Sequence, residues 1–229
     1  MSVANILTNI KSKLIVSCQA PINSPLHDPL IIAAIAQASV NNGAAAVRID
    51  TPAHVKAVRQ QIPNIPIIGL WKQQIPGYEV YITPTLAATD ALAQANADII
   101  AIDATDRQRP NHETVTQLIE HIHTKLGKLV MADVDSIENA IAATQAGADI
   151  VATTLYGYTK QTQACNPPGW ELLKQMVAKL DIPVICEGGI ASPAMAQKAL
   201  QLGAYAVVVG TAITGIDLKV KEFQAIFEG

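Results

Sequence analysis

The segment from Pro183 to Ile213 limits what this chain can fold into more than any other. It begins Pro-Val-Ile-Cys-Glu-Gly-Gly, continues through an Ala-, Gln- and Leu-rich stretch to Gly203, and ends Ala-Val-Val-Val-Gly-Thr-Ala-Ile. Val184–Cys186 and Val207–Val209 are short apolar runs bounded by Pro and Gly, as parallel strands buried on both faces should be. Between them Ala194–Leu202 carries apolar residues at helical spacing and stops at Gly203, a natural C-cap. Both strands finish in glycine turns, at Gly188-Gly189 and at Gly210-Thr211. Glycine lets the main chain approach an anion closely, and a helix N-terminus adds partial positive charge. Glycines also serve as plain caps and turns. What favours an anion cup is position: in an eight-stranded βα barrel the loops after strands seven and eight commonly hold a phosphate.

The rest of the chain repeats the pattern. Strands are expected at Leu14–Ser17, Ala45–Ile49, Ile67–Leu70, Ile99–Asp103, Leu129–Ala132 and Ile150–Thr153. Helices are expected at Leu30–Asn42, from Pro52 behind a Thr51 cap, at Leu86–Gln94, from about Asn111 to Leu126, from Ser136 to before Gly147, and at Trp170–Leu180. The loop after the third strand, Trp71 to Tyr81, is unusually long, and Asp217–Phe227 reads as a closing amphipathic helix. Eight βα units predict an α/β fold, a (β/α)8 TIM barrel occupying 1–229 as one domain. The first βα turn lacks a Gly-x-Gly-x-x-Gly run, which weakens an open dinucleotide-binding sheet.

Composition fits this reading. The chain has 229 residues, near the ~250 usual for such a barrel. Half of it is hydrophobic and 15% is charged, with a net charge of −3. No Lys/Arg run stands out, which argues against a nucleic-acid surface or a polybasic membrane patch. No apolar run reaches the ~18 residues of a membrane span, and residues 1–13 do not read as a signal peptide. Cys18, Cys165 and Cys186 lack metal-ligand spacing and suit a reducing compartment. A cytoplasmic protein is expected.

In a barrel, residues at the C-terminal ends of the strands face the mouth. Here those are Gln19, Arg48, Lys72, Asp103, Asp133, Thr153-Thr154 and Glu187. Arg48 could pair with Asp50 or another barrel acid, and Asp103 and Asp133 could cap the segments that follow them. Lys72 and Glu187 each follow a buried strand directly, where a charge is costly unless used or paired; a structural Lys72–Glu187 ion pair is the plain alternative. A lysine and a carboxylate beside a phosphate cup suit proton abstraction next to a carbonyl, since burial lowers a lysine pKa and raises a carboxylate's. No metal and no cofactor are called for. The five histidines fall mostly in helices or loops and read as surface or packing residues.

Several segments together resemble the N-acetylmannosamine-6-phosphate 2-epimerase family. They are Val16–Ala20, Ile68–Lys72, Val80–Thr85, Asp103–Thr105, Met131–Asp133, Thr153–Thr159, Glu187–Ile190 and Val209–Thr214, with Arg48-Ile49. Tyr-Ile-Thr-Pro-Thr and Thr-Thr-Leu-x-Gly-Tyr-Thr are the specific ones. The resemblance implies a cofactor-independent barrel enzyme of amino-sugar and sialic acid breakdown, acting on a phosphorylated N-acetylhexosamine. It implies Lys72 as the C2 acid/base and Glu187 as the group assisting the ring-opened sugar. Gln19, Arg48, Asp133 and Thr153 would hold the sugar, and Gly188, Gly189, Gly210 and Thr211 the phosphate. Family members tend to carry an arginine after Ala-Ile-Thr, where this chain has Gly215; the cup is then weaker or completed by another cation. A homodimer is expected, as many barrels of this kind dimerise. Two rivals remain. A pentose-phosphate 3-epimerase usually wants metal-binding His and Asp at strand ends, and a non-catalytic phosphosugar-binding regulator would not turn substrate over.

Overall fold

The structure, a computed structural model, describes residues 3–227. Eight parallel strands close on themselves in chain order, β1 Leu14–Cys18, β2 Ala46–Asp50, β3 Ile67–Leu70, β4 Ile99–Asp103, β5 Leu129–Asp133, β6 Ile150–Ala152, β7 Val184–Cys186 and β8 Ala206–Val209. Closure is made by β1 against β8, with Leu14, Ile15 and Val16 opposite Val207, Val208 and Val209. The helices α2 Pro29–Asn41, α3 Pro52–Gln61, α4 Leu86–Gln94, α5 Val115–His121, α6 Ile137–Gln145, α7 Trp170–Lys179 and α8 Pro193–Gln201 alternate with the strands. They follow α1 Val3–Ile10 and are followed by α9 Thr211–Thr214 and α10 Ile216–Gln224. This is the expected (β/α)8 TIM barrel.

The pleat sorts the strand residues into two cores. Ile15, Ala46, Ile68, Ile99, Met131, Ile150, Ile185 and Val208 pack together inside the barrel. Their sequence neighbours Val16, Val47, Ile67, Ile100, Val130, Val151, Val184 and Val207 pack outward against the helices. Gly69 belongs to the outward set, and a Cβ there would stand 2.8 Å from Ala97 Cβ. The lower end of the inner core holds Ile6 and Ile10 of α1, an element the sequence reading did not anticipate. The helix is anchored by the Tyr205 hydroxyl donating to the Leu7 carbonyl at 3.0 Å.

One other expectation is corrected and two are sharpened. The helix expected from Asn111 to Leu126 is broken: a single 3-10 turn at Pro110–His112, then α5, then one wide π turn at Ile122–Leu126. Thr114 and Gln117 form a reciprocal capping box that starts α5 afresh, so the preceding residues need not be helical. The long loop after β3 folds back as a short hairpin, with Lys72 bridging Ile82 antiparallel and the Thr83 N–H donating to the Trp71 carbonyl at 2.8 Å. The tail helix forms as α10 but buries none of its residues, leaving Ile216, Leu218, Val220 and Phe223 exposed. No helix among the described residues is long and apolar enough to cross a membrane.

Candidate active site

The inward phase of the pleat turns polar at the C-terminal end of the barrel. Continuing each strand by two residues gives Ser17 and Gln19, Arg48 and Asp50, Lys72, Asp103, Asp133, Thr154, Glu187 and Gly210. Most of these line a cavity of about 850 Å³ at that mouth. A change of residue type along one face of each strand therefore creates the site, with no change of backbone geometry.

Arg48 is 1% exposed and is the centre of the arrangement. Its two terminal nitrogens grip Asp133 bidentately at 3.0 and 2.6 Å, and Nη1 also donates to Glu187 Oε2 at 2.8 Å. Burial opposes the guanidinium charge, but Asp133 and Glu187 outweigh that and hold it firmly protonated. Asp133 further accepts from the Thr154 hydroxyl at 2.7 Å. Of the open alternatives, Arg48 thus pairs with barrel acids across the interior, and Asp133 spends its oxygens on Arg48 and Thr154.

Glu187 is pulled two ways. Burial pushes its carboxyl up to about 7, with Arg48 opposing and Asp133 adding to the rise. Its side chain keeps 12% exposure toward the mouth. Thr153 fixes its main chain, donating to the Glu187 carbonyl at 2.8 Å and accepting its N–H at 3.1 Å. Thr153 is therefore 1% exposed and turned from the cavity, while Thr154 lines it. Strand parity would have shown this, because Ile150 and Ala152 point inward and Thr154 follows them.

Lys72 does not pair with Glu187. Its Nζ donates to Gln19 Oε1 at 2.5 Å, and Gln19 Nε2 donates to Ser17 Oγ at 2.8 Å, which fixes the amide with its oxygen toward the lysine. The Lys72 N–H is held by Asp50 Oδ1 at 2.9 Å. Desolvation lowers the ammonium pKa, with Asp50 opposing and Arg48 assisting. Lys72 is nonetheless open to solvent through the mouth, so the depression deepens only when something excludes that water.

Tyr81, from the refolded loop, also lines the cavity, and burial pushes its phenol up to about 12. Asp103 lies outside the cavity; it accepts from Thr105 Oγ1 and Arg107 Nη2 at 2.7 and 2.6 Å and serves that loop. His27 departs from the surface-or-packing expectation in part: it lines the mouth and meets buried His54 edge-on, with ring centroids 4.5 Å apart. On the opposite side, Gly188, Gly189, Gly210 and Thr211 complete the wall.

A closed (β/α)8 barrel whose mouth gathers a lysine, a glutamate and an arginine–aspartate clamp beside two glycine turns is laid out as an isomerase-type barrel enzyme. A family model described as "Putative N-acetylmannosamine-6-phosphate epimerase" matches residues 32–228. The chain belongs to that family. A Thermosynechococcus vestitus protein bearing the 2-epimerase form of that description is 62% identical over 221 residues, 96% of each chain. One from Synechococcus elongatus is 56% identical over 218 residues, 95% of this chain and 94% of its own. The solved structure of the N-acetylmannosamine-6-phosphate 2-epimerase from Clostridium perfringens superposes with a TM-score of 0.93 at 41% identity, over 99% of this chain and 98% of that one.

Proposed function

We propose that this chain interconverts N-acetylmannosamine 6-phosphate and N-acetylglucosamine 6-phosphate by removing and returning the proton at C2. The observation that carries the reading is Lys72, held by Gln19 and Asp50 in the same cavity as Glu187 and the glycine turns. The sugar opens to its C1 aldehyde, and Glu187, with a carboxyl near neutrality, relays the ring-oxygen proton. Neutral Lys72 then takes the C2 hydrogen. The C2–H bond breaks, an N–H bond forms, and the electron pair moves through C2–C1 onto the aldehyde oxygen. Return of the pair and of a proton to the opposite face of C2 gives the epimer. Gln19, Arg48 and Asp133, with Thr153 acting through the Glu187 main chain, order the N-acetyl and hydroxyl groups. Gly188, Gly189, Gly210 and Thr211 anchor the phosphate by main-chain N–H groups, and that remote binding energy orients the reacting carbon.

The same reading places the enzyme in the cytoplasm, as one barrel domain, free of cofactor, metal and nucleic acid. A homodimer is proposed on the exposed apolar residues of α10. Incubation with either sugar phosphate in deuterated water, followed by proton NMR, should show epimer formation with deuterium at C2. Lys72→Ala should lower both by at least ~10²–10⁴-fold, the range of a lost general base. Exchange at near the unmodified rate in the folded variant would pass the base's role to Glu187.

A further inference from the structure

We propose that Lys219, on α10, is the side-chain cation that receives the phosphate group of the substrate. This rests on the phosphosugar reading above.

A phosphate monoester brings up to two negative charges into a mouth that has little positive charge to spare. Among the described residues, the Lys and Arg side chains lining the cavity are Arg48, Lys72 and Lys219. Arg48 is committed to Asp133 and Glu187, and its charge is neutralised there. Lys72 is engaged with Gln19 and must be neutral to act as base. Asp50, Glu187 and Asp217 line the same cavity and oppose an incoming anion. Of the three, Lys219 is the one whose partner, Glu222, is a surface carboxylate outside the cavity wall, so its charge is the most readily turned to the anion.

Its position suits the task. Gly210 and Thr211, Gly215 and Lys219 follow one another along the β8 side of the cavity. The Lys219 N–H bonds the Gly215 carbonyl at 2.9 Å, so Lys219 lies one helical turn beyond Gly215 on the same face. Position 215 cannot carry a side chain: a Cβ there would stand 2.7 Å from Thr211 Cα and 2.8 Å from the Thr211 carbonyl oxygen. Position 215 therefore adds no side chain of its own to this wall, and the next side-chain cation along it is Lys219. The helix is tied to the loop after β1 by the Ser24 hydroxyl donating to Asp217 Oδ2 at 2.9 Å. At rest Lys219 pairs with Glu222 at 2.8 Å, the lysine being 37% and the glutamate 65% exposed. An exposed pair of this kind holds its lysine weakly, whereas a charge-assisted bond to phosphate in a partly enclosed cavity is stronger.

Steady-state kinetics on N-acetylmannosamine 6-phosphate and on unphosphorylated N-acetylmannosamine test this with Lys219→Met and Lys219→Arg. Lys219→Met should raise KM for the phosphosugar by about 10- to 100-fold, the loss expected of one charge-assisted bond. Its preference for the phosphosugar, as a ratio of kcat/KM values, should fall by the same factor, and Lys219→Arg should restore most of it. A KM within twofold of the parent, or an equal loss on both sugars, overturns the proposal. A separate titration with inorganic phosphate, read from the fluorescence of Trp71 in the cavity wall, needs no turnover. Weaker phosphate binding by Lys219→Met supports the proposal even if neither sugar is converted, a result that would sink only the epimerase reading. Equal phosphate binding overturns the Lys219 assignment by itself.

Discussion

Glu187 shows at the scale of one residue what the site costs the fold. Its carboxyl titrates at about 7 in the folded chain against 4.5 for the free group. The folded protein therefore binds this proton more tightly, and the resulting stabilisation is complete below pH 4.5 and lost as pH rises through 7. Glu187→Gln cannot ionise. Its Tm relative to the parent should rise between about pH 4.5 and pH 7 and level off above that, while turnover falls; a difference independent of pH would show that Glu187 is not held up in this way. Lys72 has the opposite sign, since its pKa is depressed: its contribution is present above pH 10.5 and is lost as pH falls through the lowered folded value. Both groups burden the fold at neutral pH, a cost in line with the roles proposed for them. That Lys72 and Glu187 would face the barrel mouth was legible in the sequence, because each follows a buried strand in the inward phase. Thr153 and Thr154 were not told apart, because the last residues of β6 were read as a pair and not by their alternation. The partner of Arg48 was left among several acids, since choosing Asp133 requires knowing which strands face one another across the barrel.

The elements differ in how openly the sequence declares them. Strand positions were readable to within a residue or two, being apolar runs between Gly, Pro and Asp. The break before α5 carried its own signal in Thr114 and Gln117, but the surrounding residues have enough helical character to hide it. The turn after β7 is decided by close packing that no local pattern reveals. Gly189 has φ +70°, and a Cβ there would stand 2.7 Å from the Pro167 carbonyl carbon. Gly189→Ala should therefore displace the 165–168 loop and lower stability by more than about 1 kcal/mol, outweighing the gain that Gly→Ala brings where the backbone allows it. Gly210 has φ −110°, and a Cβ there would meet Ser17, nearest at its Cβ at 3.3 Å. Gly210→Ala should keep Tm within a few degrees and raise KM for the phosphosugar. Thermal melts beside kinetics separate the two, and a large Tm loss at Gly210 would contradict the packing described.

Over the whole molecule the closed sheet and the alternating helices followed from the eightfold repeat, whereas the way the barrel's lower end is sealed did not. Ile6 and Ile10 are four apart on one face of α1 and complete the inner core; eight residues are too few for that spacing to stand out. Ile10 is fully buried. Ile10→Ala should cost about 2–5 kcal/mol, the range for emptying such a site, and should lower the denaturant midpoint while leaving KM unchanged. A KM change of several-fold would mean that the plug and the mouth are coupled.

Gly69 and Ala97 have a history written into their spacing. Between β3 and the turn after α4 there is room for a single methyl group, and Ala97 supplies it; Leu92 and Val55 close the sides at 3.3 and 3.4 Å. Neither position is then free to drift alone: an alanine at 69 becomes tolerable only after residue 97 has given up its own methyl. Gly69→Ala by itself should be clearly destabilising, and Ala97→Gly added to it should recover much of the loss, with a coupling energy of about 0.5–3 kcal/mol, as for residues in direct contact. The order of substitution is constrained as well. A lineage passing through Gly69→Ala first would cross a less stable intermediate, and one passing through Ala97→Gly first would only open a small gap.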